Sequence, residues 1–285
     1  MEKIKSKYDN DTIKSTLMNF MKGKLSSDLY LDSYLFGYLC ECYRKPVNEK
    51  LHTLRYYHNI DHIIDGINNL VTVFEFDSDD NSDLSGEFVF AWLFHDCVYK
   101  VPCSANGNEE DSANKALEVL ETSPLDLKRI KDLILYTKHD VNPPIEDYEA
   151  NLIVELDLIG LASDSKEFKE NSEKIRKEYS YYTDEEYGKG RLAFFKDFLH
   201  LKDGKIFNLV PYTHSYNRRA LDSYNHSALV NINEEMKYLK ELYKSPKWRI
   251  KYFSLHNWLL LGVRIELLSS FRCLLNYYGE KDEQI

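Results

Sequence analysis

The chain has 285 residues, 43% of them hydrophobic and 14% aromatic, which excludes an intrinsically disordered protein and allows a sizeable core. Its net charge of −10 excludes a protein that coats long nucleic acid, because neutralising phosphates requires clustered basic residues. Five cysteines, an odd number in a chain of this length, argue against a disulfide framework and predict reduced thiols.

Helical periodicity dominates the sequence and strand alternation is scarce, so we expect an all-α fold. Two amphipathic helices are predicted at 11–22 and 27–43. A third, at 59–74, places isoleucine and leucine on one face and is followed by an acidic linker at 77–83. A short and very apolar helix is predicted at 86–98, where an apolar run leads into an adjacent histidine and aspartate.

Start signals place several later helices. Asn108 is predicted to cap a helix at 109–121, and Ser123-Pro124 to open one at 125–138. Thr183 begins a capping box for a helix that ends near residue 200. The remaining predicted helices are 148–161, 216–243 and 246–277.

No targeting or membrane segment is recognised in the sequence. The first seven residues lack an apolar core, and the most apolar late stretch, 253–271, contains charged residues. We therefore expect a soluble, cytoplasmic protein that makes no membrane contact. Its predicted parts are N-terminal helices at 1–50, a central core at 51–200 and a C-terminal helical extension at 201–285.

Five residues suggest a metal site. Two histidines four positions apart share one face of a helix, a His-Asp pair follows an apolar run, and an aspartate sits between apolar neighbours. A mixture of imidazole and carboxylate ligands suits a divalent cation such as Mn²⁺, Fe²⁺ or Mg²⁺, and three helices converging on one cation build such sites in bundles. The five residues are His58, His62, His95, Asp96 and Asp157.

The order of these residues resembles that of the HD-domain metal-dependent phosphohydrolases, and the blocks between residues 51 and 242 resemble a subgroup of predicted members. The resemblance implies an HD-domain helical bundle with extra N- and C-terminal helices. It also implies one divalent ion (Mn, Fe, Mg, Co or Ni), with room for a second. The blocks that carry it are Tyr57-His58-Asn59-x-x-His62, Phe94-His95-Asp96, Asn108-Glu109-Glu110 and Glu155-Leu156-Asp157.

The first of these blocks is also similar to the opening motif of the class I cyclic nucleotide phosphodiesterases. Carried over, His58 would donate a proton to the leaving oxygen and His62 would bind metal, with His95, Asp96 and Asp157 as the other ligands. The phosphodiesterases have a further histidine where this chain has Lys100, so a full copy of their two-metal site is not expected. Asp96 would also act in catalysis, alongside His58.

The resemblance further suggests residues around the metal. His139 would contact phosphate or a second metal, as a histidine before the closing aspartate does in other HD proteins. Glu109 and Glu110 would hold a bridging water or a second cation. Candidates for binding the substrate phosphate are Lys138, Arg176 and Arg191.

The favoured function is hydrolysis of a small phosphorylated metabolite, most simply a nucleotide, by metal-activated water with His58 as the proton donor. The main alternative is a non-catalytic HD-fold module that binds nucleotide or metal, or regulates a partner. A structural helical protein and a di-iron oxygenase are further alternatives. Self-association as a homodimer is compatible with the long C-terminal helices.

Overall fold

The computed structural model describes residues 5–24, 29–74, 84–203, 205–208 and 217–244. Within these ranges the protein is built of helices and contains no β-strand beyond an isolated bridge between Asn48 and Thr53, which confirms the all-α prediction. The helices are α1 (Asn10–Met21), α2 (Leu29–Cys42), α3 (Ile60–Thr72), α4 (Gly86–Phe94), α5 (Asn108–Val119), α6 (Leu127–Tyr136), α7 (Tyr148–Leu158), α8 (Ser165–Glu178), α9 (Asp184–Leu201) and α10 (Asn217–Lys244).

The described residues up to 235 belong to one compact unit, and the described residues 236–244 belong to a second. The predicted linker at 77–83 and the predicted helix at 246–277 lie outside the described residues. No helix in the described part of the chain is long and apolar enough to cross a membrane. The four cysteines of the described ranges are free thiols, and Cys40, Cys42 and Cys97 are buried.

Helix α4 is the centre of the first unit. Every side chain from Phe88 to Phe94 is fully buried, and α4 packs against α1, α5, α6 and α7. The helix is apolar on all sides because it is enclosed on all sides. Its start is fixed by the Ser85 side chain, which accepts a hydrogen bond from the Phe88 N–H.

Helix α4 ends at Phe94, four residues before the predicted end. The residues that follow find partners outside the helix. The Arg55 guanidinium donates to the Asp96 and Cys97 carbonyls, and the Ser112 hydroxyl bonds both the N–H and the carbonyl of Val98. Since these groups are already satisfied, the chain has no need to continue the helical ladder.

Two predicted start signals are corrected by the structure. Helix α5 begins after Gly107 with no side-chain cap, because the Asn108 side chain instead bonds the N–H and the carbonyl of Lys100. Helix α6 begins at Leu127 with Asp126 as its cap, so Ser123-Pro124 precedes the helix. The Thr183 capping box is present as predicted, with both of its reciprocal hydrogen bonds to Glu186.

Helix α8 was not predicted from the sequence. It is hydrophilic, and its buried side chains are Phe168 and Glu178 alone, so it lacks the apolar stripe by which helices are recognised. Asp164 caps it by accepting from the N–H groups of Lys166 and Glu167.

Helix α3 is held on both sides. Its inner face buries Ile63, Ile64 and Ile67. On its outer face, the segment before α1 donates hydrogen bonds to two carboxylates. The Lys7 N–H donates to Asp61 at 3.0 Å, and the Tyr8 hydroxyl donates to Asp65 at 2.7 Å.

Gly66 on α3 allows a close approach to Trp92 on α4. A Cβ atom at residue 66 would lie 2.0 Å from Trp92 Cζ2, and the indole N–H donates to the Ile63 carbonyl at 3.2 Å. The two helices can therefore pack this closely only with glycine at this position.

We expect Gly66→Ala to destabilise the protein by about 1–3 kcal/mol, because the added methyl group overpacks a rigid indole. Urea unfolding followed by circular dichroism measures the change. Gly190→Ala in α9 is the matched control: its Cβ would meet open space, so stability should stay level or rise by about 0.5–1 kcal/mol. Equal stability of the two variants would contradict the packing argument.

Candidate metal centre

Three elements distant in sequence bring potential ligands together. His62 lies in the first turn of α3, His95 directly follows α4, and Asp157 lies near the end of α7. One ligand atom from each residue lies within 4.8 Å of the others, so the three could hold a metal ion. Their chemistry, two imidazoles and a carboxylate, suits a borderline or hard divalent cation.

Asp157 contacts three histidines at the centre of the group. Its Oδ1 lies 3.1 Å from His62 Nε2 and 3.5 Å from His95 Nε2, whereas its Oδ2 lies 2.9 Å from His139 Nε2. Burial raises the pKa of this carboxyl, but hydrogen bonds from His139 and His62 and the nearby charge of His95 outweigh burial and hold the pKa well below its usual range. Asp157 is therefore a carboxylate at neutral pH.

The orientation of His95 leaves its ligand atom facing the group. The ring is 1% exposed, stacks on Trp92 and places Nδ1 2.8 Å from the Trp92 carbonyl. A carbonyl only accepts, so Nδ1 carries a proton, and when the ring loses its second proton the lone pair is on Nε2. This is the tautomer that a metal ligand requires.

Asp96, the fourth predicted ligand, lies beside His95. Its Oδ2 is 3.3 Å from His95 Nε2, and both atoms are buried without making a hydrogen bond. Burial raises the pKa of this carboxyl, but the charge of His95 outweighs burial and lowers the pKa to about 2. Two buried polar atoms that face each other without a hydrogen bond fit a position where a cation binds both.

His139 adopts a strained backbone beside this group. Its φ is +58°, which is uncommon for a residue other than glycine, and its ring packs edge-on against Phe198. Its Nδ1 is buried without a hydrogen bond, and its Nε2 faces Asp157. Backbone strain of this kind is concentrated at functional sites, and it persists where contacts such as those with Phe198 and Asp157 hold the residue in place.

We expect Mn²⁺ or Co²⁺ at about 100-fold over its dissociation constant to stabilise the protein by about 2.7 kcal/mol, because the ion binds only the folded state. Differential scanning fluorimetry should show a midpoint rise of roughly 5 °C or more. The rise should shrink as the pH falls, since protons compete for His95, whose pKa stands well above its usual value: burial lowers it, but the Asp96 charge more than offsets this.

Asp157→Asn and His95→Gln should abolish this stabilisation, and His200→Gln, at an exposed position on α9, should retain it. An equal rise in all three variants would show that the ions bind elsewhere.

His58 precedes α3 and lies beside the three candidate ligands, with its side chain 17% exposed. Its ring centroid lies 6.2 Å from that of His62, and its face stacks on Tyr99 at 3.9 Å. Its Nδ1 lies 2.6 Å from Glu178 Oε2. The other Glu178 oxygen accepts from the N–H groups of Tyr57 and His58.

Glu178 was not recognised from the sequence as a site residue. It is the last residue of the unpredicted helix α8 and is 0% exposed. Burial lowers the pKa of His58, but the Glu178 charge outweighs burial, so the pKa is raised above 6.5. A buried carboxylate in a hydrophilic helix leaves no signal in one sequence, because its neighbours there are also charged.

We expect Glu178→Gln to lower the pKa of His58, because burial remains while the charge that opposed it is gone. A histidine titration by NMR measures this pKa. The raised pKa also stabilises the wild-type fold below about pH 6.5, and this contribution is lost as the pH rises through the folded-state pKa.

The matched control is Glu167→Gln at an exposed position of the same helix, which should leave the His58 titration unchanged. A His58 midpoint equal to that of wild type in Glu178→Gln would refute the electrostatic coupling.

Of the other predicted surrounding residues, Glu109 interacts electrostatically with the candidate ligand group. Burial and then the nearby Asp96 charge raise the pKa of the Glu109 carboxyl, while His139 and Lys138 oppose this rise. The Glu109 carboxyl is thus close enough to Asp96 and His139 for their charges to act on it. Lys138 places its ammonium 3.1 Å from Asp140.

The other three predicted residues are engaged in contacts between helices. Glu110 pairs with Lys131 on α6. Arg176 pairs with Asp184 and donates to the Tyr179 and Tyr182 carbonyls, which fixes the turn between α8 and α9. The Arg191 Nε lies 3.3 Å from Glu235 on α10. These pairings show a structural use for each side chain, and substrate contact by them stays a prediction.

The chain matches no protein-family model, no curated protein and no solved structure.

Proposed function

We propose that the protein is a divalent-metal-dependent phosphohydrolase that acts on a small phosphorylated metabolite, most simply a nucleotide. The observation that carries the proposal is the convergence of His62, His95 and Asp157, with Asp96 beside them, next to a histidine whose Nδ1 is held by a buried carboxylate. Metal ligands and an oriented histidine are the two components that water-dependent phosphate cleavage uses.

The ligands would hold the cation through His62 Nε2, His95 Nε2 and the carboxylates of Asp96 and Asp157. A cation held there supplies an activated water and neutralises charge on the phosphoryl oxygens. Mn²⁺, Fe²⁺, Co²⁺, Ni²⁺ and Mg²⁺ are all compatible with this donor set. His139, on the second Asp157 oxygen, orients that carboxylate and would lie beside a bound phosphate.

His58 would act as the general acid. Glu178 occupies its Nδ1, so Nε2 is the nitrogen free to face a substrate. The raised pKa keeps a proton on the ring near neutral pH, and Nε2 would pass this proton to the departing oxygen. The Glu178 carboxylate stabilises the imidazolium before transfer, and the neutral ring would take a new proton from solvent afterwards.

An acidic chain favours a small substrate over long nucleic acid, because the sequence contains no tract of basic residues that could neutralise a nucleic-acid backbone. The main alternative function is a non-catalytic module that binds a nucleotide and a metal. A cytoplasmic location and a homodimeric state belong to the same proposal.

The test is phosphate release from nucleoside mono-, di- and triphosphates, cyclic nucleotides and sugar phosphates, each with the five cations above. We expect Asp96→Ala and Asp157→Ala to abolish turnover together with metal binding. His58→Ala should keep the metal and lose roughly 10²- to 10⁴-fold in kcat, the usual contribution of general acid catalysis.

His200→Gln should match wild type in this assay. Full hydrolysis by Asp96→Ala or Asp157→Ala would refute the proposal. Tight binding of nucleotide and metal without phosphate release over hours would favour the non-catalytic module.

A further inference from the structure

Arg55 is a buried cation whose hydrogen bonds all go to main-chain carbonyl groups. Its side chain is 4% exposed. Nε donates to the Lys45 carbonyl at 3.2 Å and Nη2 to the Cys97 carbonyl at 3.1 Å. Nη1 donates to two carbonyls, those of His58 at 3.1 Å and Asp96 at 2.6 Å. One guanidinium nitrogen therefore joins the main chain of the proposed proton donor to that of a proposed metal ligand.

The guanidinium makes no ion pair with a carboxylate in the described part of the chain. Its charge is met by four carbonyl dipoles and by the rings of Tyr43 and Tyr99, whose centroids lie 5.4 and 5.9 Å from its central carbon. A buried charge without a counter-ion is costly, and an apolar residue would fill the same space at lower cost. What an apolar residue would not do is donate hydrogen bonds to four carbonyls from one rigid group.

Two segments are joined by this guanidinium. One is the loop between α2 and α3, which ends in His58, and the other is the turn after α4, which contains Asp96 and Cys97. The loop is anchored to α8 through Glu178, whereas Arg55 joins it directly to the turn. Arg55 thus controls the spacing of the two segments without itself reaching the ligand atoms.

We propose that Arg55 is a positioning residue for the hydrolytic reaction, and that its guanidinium sets the distance between His58 and the His95-Asp96 pair through the carbonyls of His58 and Asp96. The inference rests on the proposed function. Positioning of this kind is worth much in catalysis, since a displacement of about 1 Å costs roughly 10²-fold in rate.

Arg55→Lys is the informative variant. Lysine keeps the positive charge, but its single ammonium cannot reach four carbonyls in a planar arrangement. We expect Arg55→Lys to bind Mn²⁺ with wild-type stoichiometry while kcat falls roughly 10²-fold and KM changes little. Arg129→Lys is the matched control, because Arg129 holds an equally structural contact with Asp147 between α6 and α7 and should leave kcat unchanged.

A double-mutant cycle separates positioning from general loss of structure. If Arg55 acts through His58, then adding Arg55→Lys to His58→Ala should lower kcat by at most about twofold. Independent structural damage would instead multiply the two losses. A multiplicative result, or wild-type kcat in Arg55→Lys, would overturn the inference.

Should Arg55→Lys fail to fold, Arg55→Gln is measured in its place, since it removes the buried charge and its amide nitrogen reaches only as far along the side chain as Arg55 Nε, short of the His58 and Asp96 carbonyls. A folded Arg55→Gln that still has a lowered kcat supports positioning, and failure of both variants to fold overturns it. Absence of turnover in the wild type with every cation would refute the proposed function itself, which distinguishes the two failures.

Discussion

The structure depends on charged groups buried in an apolar core, where contacts between them offset the free-energy cost of burial. Helix α4 carries seven fully buried apolar residues directly into His95 and Asp96, and Asp157 enters the same space from α7. Imidazoles surround the Asp157 carboxylate on both of its oxygens, and this is what makes its burial tolerable. Close helix packing at Gly66, the early end of α4 and the strained backbone of His139 all serve to bring these groups together.

Much of the ligand group was predictable because its members lie where periodicity is strong. Apolar runs before His95 and around Asp157 indicated buried helices, and the spacing of His58 and His62 indicated the start of another. Glu178 and Arg55 were missed for a different reason. Glu178 bonds main-chain groups and a histidine about 120 residues away. Arg55 bonds main-chain carbonyls. Such pairings leave no local pattern, and α8 itself has no apolar stripe.

The charged residues predicted to surround the metal illustrate the same limit of sequence analysis. Spacing places a residue on a helix but does not determine which neighbour its long side chain meets. Arg176 and Arg191 were assigned to substrate by resemblance, and each makes an ion pair with a carboxylate of another helix. Glu109 and Glu110 are adjacent in sequence, yet Glu109 is influenced by Asp96 while Glu110 pairs with Lys131. Successive residues on a helix point in different directions, so a shared motif does not imply a shared role.

The wide separation of the ligands along the chain bears on how the protein folds. His62 and Asp157 are 95 residues apart, so an ion bound to both closes a long loop of the polypeptide. Closing such a loop is entropically expensive for an unfolded chain, and the cost grows only slowly with further length. Metal uptake would therefore come late in folding, after α3, α4 and α7 have met, and the bound ion would then act as a reversible cross-link between segments that are far apart in the sequence.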